Sequence, residues 1–181
     1  MARLPYLDAA DLPDEHRWVF DEIERTRGFV PNLYRVLAHS PALIAEFLRM
    51  TTAARAAGRL AADLKELAIL AVADATAAAT IRAAHTSPAA AARLTPEQVS
   101  SVATWRLRSC YSPEQSAILA YAEEVTRDVR ASDATWEAVT TFLDSEQLAE
   151  LTLVVAFYNM VARVLEPLQV DLDARYSQKN G

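Results

Sequence analysis

Few glycines and a single cysteine are the first features of this sequence. The chain of 181 residues holds 3 Gly and 1 Cys. One cysteine, Cys110, cannot form an intrachain disulfide, a CxxC redox pair or a multi-cysteine zinc site. Runs of Lys and Arg are also missing and the formal net charge is −6, so we expect no nucleic-acid partner. With 52% hydrophobic residues, the composition predicts one globular domain over residues 1–181.

Long hydrophobic runs are missing as well. The longest strongly apolar stretch, Leu151 to Ala162, is well short of the roughly 20 residues that a membrane-spanning helix needs. We interpret it as a core helix whose apolar face contributes to a homo-oligomer interface, and we expect no membrane partner. The N-terminal residues contain no apolar leader region, which favours a cytoplasmic location. P-loop, GxGxxG, HExxH and GxSxG motifs are absent, so the enzyme classes that carry them are not indicated.

Apolar residues recur at spacings of three and four without sustained period-two alternation, which predicts an all-α domain. Three capping boxes, which begin at Thr95, Ser112 and Asp144, mark helix starts. We expect Asp74 to break a helical region, Pro88 to bend or end a helix and Pro167 to stop the last one. The predicted helices cover residues 14–27, 31–37, 41 towards 58, 60–73, 76–93, 134–143 and 146–166, besides the segments that open at the first two boxes.

His85 is the histidine most suited to chemistry. It follows a nearly uninterrupted run of small residues, where an imidazole would be partly buried and able to titrate near neutrality. Glu66 lies 19 positions earlier and could reach His85 only if the chain turns near residues 74–76. A carboxylate there would orient the imidazole or relay its proton. Two alternatives stay open: a hydrogen-bonded core histidine, and an exposed Glu66 that pairs with Lys65 or Arg82.

A second group lies on the last predicted helix. Asn159 and Arg163 are spaced i, i+4 and Tyr158 stands beside them, so one face could present hydrogen-bond donors to an anionic substrate. The alternative is an ion pair between Arg163 and Glu166. No metal site is indicated, and we interpret Cys110 as an inert thiol because nothing nearby in the sequence would activate it.

Several segments of the chain stand in a familiar order with His85: GFVPNLYRVLAHSP (28–41), KEL (65–67), SPEQ (112–115) and AFYNMV (156–161). In this order they resemble the carboxymuconolactone decarboxylase and AhpD-like superfamily across nearly the whole chain. The resemblance implies an AhpD-like helical fold, assembly into dimers, trimers or hexamers, and a pocket near the helix that carries the histidine.

The resemblance also shows what this chain has lost. In the peroxidase branch, a glutamate stands twelve residues before a CxxCxxxH motif; Glu66 and His85 match its ends, whereas Ala78 and Ile81 occupy the cysteine positions. Thr80 falls between them, at a position often held by histidine, and is assigned to substrate binding. Peroxide reduction needs those thiols and is therefore disfavoured. The decarboxylase branch, which the chain resembles more closely in this respect, moves protons without metal or cofactor.

Three functions follow as hypotheses. The first is a cofactor-independent acid–base enzyme, a decarboxylase, lactone isomerase or cyclase, that acts on a small carboxylated or lactone metabolite. In it His85 and Glu66 would be catalytic, and Arg163, Tyr158, Asn159 and Thr80 would bind the substrate. The second is a catalytically silent small-molecule-binding or assembly protein that kept the fold. A residual alkylhydroperoxidase that uses Cys110 ranks third.

Overall fold

The computed structural model describes residues 2–56 and 58–177. All regular elements in these two ranges are helical, which confirms the all-α prediction. Short 3-10 segments cover Ala9–Asp11, Asp14–His16 and Val102–Leu107. The α-helices are α1 (Trp18–Arg27), α2 (Asn32–Leu37), α3 (Pro41–Ala56), α4 (Ala62–Ala75), α5 (Ala79–Ala91), α6 (Pro96–Ser100), α7 (Pro113–Asp128), α8 (Asp133–Thr140), α9 (Ser145–Leu168) and α10 (Ala174–Ser177).

Residues 58–164 form one compact unit around α4. This helix packs against α5 and α7 and is buried along most of its length; Leu67, Leu70 and Val72 are fully inaccessible. The inner face of α9 adds Leu151 and Val155, which are equally inaccessible. Helix α4 is apolar nearly all round, and such a helix belongs inside a core. It also carries Glu66, one of the two predicted catalytic residues.

Residues 2–56 and 165–177 form a second compact unit. Helices α1, α2 and α3 contribute its core, in which Val19, Ile23, Tyr34 and Ile44 are at most 1% exposed. The rings of Tyr34 and Phe47 meet edge to face at 5.8 Å. The assignment of the whole chain to a single domain stays a prediction.

The helix starts that were predicted from capping residues are confirmed. Thr95 and Ser112 each accept a hydrogen bond from the backbone N–H three residues on, and the Gln at that third position bonds back in both boxes. Asp144 and Gln147 exchange the same pair of bonds at the start of α9. Ser132 caps α8 in a similar way. Side-chain oxygens satisfy backbone donors that a helix leaves unpaired, which is why these short polar signals located helix starts well.

Several predicted boundaries are wrong. The break lies at residues 76–78 rather than at Asp74, and α9 continues through Pro167 to Leu168. Pro88 does not end α5, which runs to Ala91, two residues short of the predicted end at residue 93. The predicted helix 14–27 is split into a 3-10 turn and α1, and α8 ends three residues before residue 143.

The helix ends depend on left-handed residues that are not glycine. Ala77, Arg93 and Gln169 have φ of 55°, 68° and 50°. After each, the next N–H bonds to the carbonyl five residues back, on Ala73, Ala89 and Leu165 respectively. This hydrogen-bond pattern closes a helix whatever residue occupies the left-handed position. Pro88 and Pro167 therefore do not set the ends of α5 and α9. Because none of the three left-handed residues is a glycine, the sequence carries no clear signal for these helix ends.

Val129 occupies the same left-handed conformation after α7, with φ of 65°, and its side chain is 84% exposed. A side chain in this region costs about 1–2 kcal/mol, and an exposed valine gains little packing in return. We expect Val129→Gly to raise the free energy of unfolding by about 1 kcal/mol, measured by urea denaturation. Val129→Ala, which keeps a Cβ, should recover less than half of that gain, and equal gains would contradict the strain argument.

One helix of the described ranges, α9, is long and apolar enough by length and composition to cross a membrane. In its most apolar window 44% of the residues are buried inside the structure. Glu150, Thr152 and Asn159 on this helix are bonded to side chains of α4 and α7. Such contacts are typical of a core helix in a helical domain. The sequence predicted a core helix for the stretch from Leu151 to Ala162.

Candidate active site

The turn at residues 76–78 folds α5 back along α4 and brings Glu66 to His85. Glu66 Oε2 lies 2.8 Å from His85 Nδ1. In one straight helix these two residues would lie nearly 30 Å apart, so the turn creates the pair. The chain does turn where the sequence reasoning required it, within two residues of the expected position.

Both members of the pair are largely buried. The His85 side chain is 4% exposed and that of Glu66 is 15% exposed. An ionised carboxylate only accepts hydrogen bonds, so the imidazole donates its Nδ1–H to Glu66 and leaves Nε2 as the position that can take or give a proton. This arrangement resembles the carboxylate–imidazole half of a catalytic triad, in which the carboxylate fixes the tautomer and stabilises the imidazolium that forms.

Tyr158 completes the surroundings of the imidazole. Its ring lies edge-on to that of His85, with 4.9 Å between centroids and 89° between the planes. Tyr158 is 4% exposed and also packs edge-on against Phe157. Ile81, one helical turn before the histidine, is buried as well. The ring contact with Tyr158 restricts rotation of the imidazole, which faces Glu66.

The alternative partners of Glu66 are engaged elsewhere. Lys65 forms an ion pair with Glu150 of α9 at 2.8 Å, and Arg82 forms one with Asp74 at the same distance. Burial raises the pKa of Asp74 above its ordinary value, although Arg82 acts in the opposite direction. Lys65 and Arg82 thus have carboxylate partners of their own, and Glu66 is bonded to the histidine.

The second predicted group stands apart from the pair. Arg163 is exposed and donates to Asn159 Oδ1 and to the Asn159 carbonyl, so its expected alternative partner, Glu166, is not used. Asn159 in turn donates to Thr126 Oγ1 on α7. Of this group, the structure brings Tyr158 alone to His85. A residue five positions along a helix points about 140° away, which separates Arg163 from Tyr158.

A cleft of about 240 Å³ opens at the start of α5. Ala78, which stands at the first cysteine position of the peroxidase motif, faces it. Ile81 and His85 do not line it, and Thr80, half-buried in the first turn of α5, is not among its lining residues either. The cleft is lined by Ala73, Asp74, Ala77, Ala78, Ala79, Arg82 and Ala103.

Arg82 supplies the positive charge in that lining, and sequence reasoning treated it only as a possible partner for Glu66. It stands three residues before His85, a spacing that places two side chains near one another on a helix. That spacing was the one signal in the sequence that could have identified Arg82 as a site residue. Arg82 also donates to the Val99 carbonyl, so it bridges the start of α5 and the end of α6.

Cys110 lies outside the Glu66–His85 pair. Its thiol is 3.8 Å from Ser101 Oγ, and its carbonyl accepts a hydrogen bond from Gln98. Ser101 also lies 3.0 Å from the Tyr111 hydroxyl. Burial is the main cause that raises the pKa of Tyr111. These bonds fasten α6 to the start of α7. Over residues 2–56 and 58–177, no three His, Cys, Asp or Glu side chains converge as metal ligands would, and the prediction of a site without cofactor stays a prediction.

Comparison with solved structures defines the class of fold. The chain superimposes on the alkylhydroperoxidase AhpD core of an uncharacterised peroxidase-related protein from Ralstonia eutropha JMP134, with a TM-score of 0.83, 24% identity and coverage of 97% of this chain and 94% of that one. A peroxidase-related protein from Silicibacter sp. TM1040 gives 0.82 and 21% identity, over 97% and 93% of the two chains. A variant of the debrominase Bmp8, in complex with 2,3,4-tribromopyrrole, gives 0.81 and 17%, over 96% and 92%. The fold is AhpD-like.

A family model matches part of the sequence. The model of the carboxymuconolactone decarboxylase family matches residues 41–124, which run from the start of α3 into α7 and include Glu66 and His85. No curated protein matches the chain. The family match and the fold together support the carboxymuconolactone decarboxylase/AhpD-like superfamily, and the resemblance found in the sequence is confirmed.

Proposed function

We propose that this protein is an acid–base enzyme that acts on a small carboxylated or lactone metabolite without cofactor. The observation that carries the proposal is the 2.8 Å bond between Glu66 and the buried His85. His85 Nε2 would take a proton from the substrate or return one, and Glu66 would hold the tautomer. The reaction would be decarboxylation, lactone isomerisation or cyclisation, each of which needs a proton moved at a defined atom. We further propose a cytoplasmic location.

Glu66 also stabilises the charged form of the imidazole. Its carboxylate lies against the histidine and is only 15% exposed, against 4% for His85. A proton that Nε2 takes from the substrate turns the ring into an imidazolium, and the same atom returns that proton to the product while Nδ1–H stays bonded to Glu66. Glu66 would therefore orient His85 and stabilise the imidazolium that forms during turnover.

The anion of the substrate needs a cation, and two arginines compete for that role. Arg82 lines the cleft at the start of α5, whereas Arg163 is bonded to Asn159 on the outside of α9. We propose Arg82 for this role in place of Arg163. Arg82→Lys is expected to raise KM about tenfold with a smaller change in kcat, because Lys cannot reproduce the planar fork of guanidinium donors. Arg163→Lys should leave KM within threefold, and the reverse ranking would contradict the assignment.

The test of catalysis compares the wild type with His85→Gln on small carboxylates and lactones, by carbon dioxide release and by isomerisation. We expect turnover to fall by about 10³-fold or more in the variant, since general acid–base groups contribute on that order. His39→Gln is the matched control, because His39 bonds to the Pro5 carbonyl in the other compact unit. Equal turnover in the wild type and His85→Gln would refute the proposal.

A binding protein is the second candidate. It is favoured by the 3% exposure of His85 and by the apolar residues Ala78 and Ile81 at the two cysteine positions. Under this alternative the wild type and His85→Gln bind an apolar probe with the same affinity and neither turns over any substrate. The third hypothesis, peroxide reduction through Cys110, would be excluded if Cys110→Ser leaves any peroxide consumption unchanged.

A further inference from the structure

Helix α9 carries an exposed stripe with a strict heptad spacing. Its members are spaced alternately three and four residues apart, and every one of them is exposed; Leu153 is 58% and Met160 44% exposed. This spacing keeps the side chains on one face of the helix, as a seam between two packed helices requires. The stripe spans about 26 Å at 1.5 Å per residue. It consists of Glu146, Ala149, Leu153, Ala156, Met160 and Arg163.

The stripe is complementary to itself when it is reversed. In an antiparallel pair centred between residues 154 and 155, Leu153 stands opposite the partner subunit's Ala156. In the same register, Ala149 stands opposite the partner subunit's Met160. Each large side chain thus faces a small one, the arrangement that lets two helices approach closely. The two-fold axis repeats both pairings on the other side of the centre, as an isologous interface requires.

The charges at the two ends match in that same register. Glu146 stands opposite the partner subunit's Arg163, so each end of the seam places a carboxylate against a guanidinium. A parallel pair would instead put Glu146 against Glu146 and Arg163 against Arg163. In its own chain Glu146 contacts Arg59, but its side chain is 63% exposed and can reach a second cation. Size and charge therefore select the same orientation and the same register independently.

We infer that α9 pairs antiparallel with the α9 of a second copy of this chain along the stripe from Glu146 to Arg163. The inner face of α9 holds Tyr158 against His85, so the pairing uses the opposite side of the helix from the candidate site. The sequence analysis expected the whole apolar stretch from Leu151 to contribute to an interface. Leu151, Val154 and Val155 are buried within the chain, and the interface falls to the exposed residues that alternate with them.

Disulfide trapping tests the register directly. Ala149→Cys and Met160→Cys are made separately in a Cys110→Ser background and oxidised with diamide. The inference predicts a covalent dimer in an equimolar mixture of the two variants and none in either alone. Each substituted position lies about 16 Å along the seam from its own symmetry copy, beyond the reach of a disulfide. A dimer from Ala149→Cys alone, or no dimer in the mixture, would overturn the inference.

A charge exchange supplies the second test. In sedimentation at micromolar concentration the wild type should dimerise, whereas Glu146→Arg or Arg163→Glu alone should weaken the dimer about tenfold, since each change affects both ends of a symmetric seam. The double exchange should return the dimer to within threefold of wild type. Its rescue cannot come from the Arg59 contact, which Glu146→Arg removes in either background. A wild type that is monomeric at every concentration leaves the stripe to another occupant and also refutes the pairing.

Discussion

A Glu66→Gln variant is expected to lose about 10³-fold in turnover and to fold normally. Glutamine has the size of glutamate, but its amide can donate a hydrogen bond to Nδ1 and so favours the tautomer with the proton on Nε2. That tautomer cannot accept a proton from the substrate at Nε2. The corresponding carboxylate-to-amide change in the serine protease triad costs about 10⁴-fold for the same reason.

The matched control for this variant is Asp63→Asn. Asp63 lies on the same helix and accepts a hydrogen bond from Gln115 at 3.0 Å, away from the imidazole. It therefore undergoes the same chemical change without touching His85. Turnover of Asp63→Asn should stay within threefold of the wild type. If Glu66→Gln also stays within threefold, the carboxylate does not set the tautomer and the acid–base account is wrong.

Gly58→Ala is expected to destabilise the protein by about 3–5 kcal/mol, the range found when a buried ion pair is broken. Gly58 has φ of +96°, and a Cβ there would lie 2.1 Å from the carboxyl carbon of Glu150. The carboxylate cannot move aside freely, because it pairs with Lys65 and accepts the backbone N–H groups of Arg59 and Leu60. The side chains of Lys65 and Glu150 are only 10% and 14% exposed, so separating them leaves charges poorly solvated.

Gly28→Ala provides the control for backbone strain. Its φ is +73°, but a Cβ there would only touch Arg175 at 3.5 Å, an ordinary contact. We expect Gly28→Ala to cost about 1–2 kcal/mol from the left-handed backbone alone. Urea denaturation of the two variants separates strain from loss of the ion pair. Equal losses would show that the Glu150 carboxylate relocates without cost.

The Glu150 carboxylate also makes the free energy of unfolding depend on pH. Burial disfavours the charged form of Glu150, but hydrogen bonds from Lys65 and the two backbone amides outweigh it and hold its pKa below the ordinary 4.5. A lowered folded-state pKa contributes stability above the unfolded value and loses it as pH falls through the folded value. The wild type should therefore lose this contribution below about pH 4.5, whereas Gly58→Ala should show a shallower acid dependence.

The parts of the fold that sequence predicted well are those set by local chemistry. Thr95, Ser112 and Asp144 mark helix starts because their own oxygens cap the backbone. The helix ends at Ala77 and Gln169 could not be predicted, because there the backbone adopts a conformation that neither side chain favours. Pro167 misled the prediction, because α9 continues through it to Leu168.

For the site, the residue types were sufficient to propose the Glu66–His85 pair but not to place its surroundings. The pairing depends on one turn, which the hypothesis required near residues 74–76 and which the structure has at residues 76–78. Arg163 was chosen for its i, i+4 spacing from Asn159, and the two are bonded. Tyr158, the sequence neighbour of Asn159, points in a different direction and packs against His85. Arg82 was passed over because only the fold shows that it lines a cleft.

The most direct test of the central claim is the position of the proton on His85, observed by ¹⁵N NMR of the imidazole side chains. The chain has 3 His, so His85→Gln assigns the resonance by its disappearance. The account predicts that Nδ1 of His85 carries a proton in the wild type and that this preference is lost in Glu66→Gln. A proton on Nε2 with Nδ1 bare in the wild type, unchanged in Glu66→Gln, would contradict it.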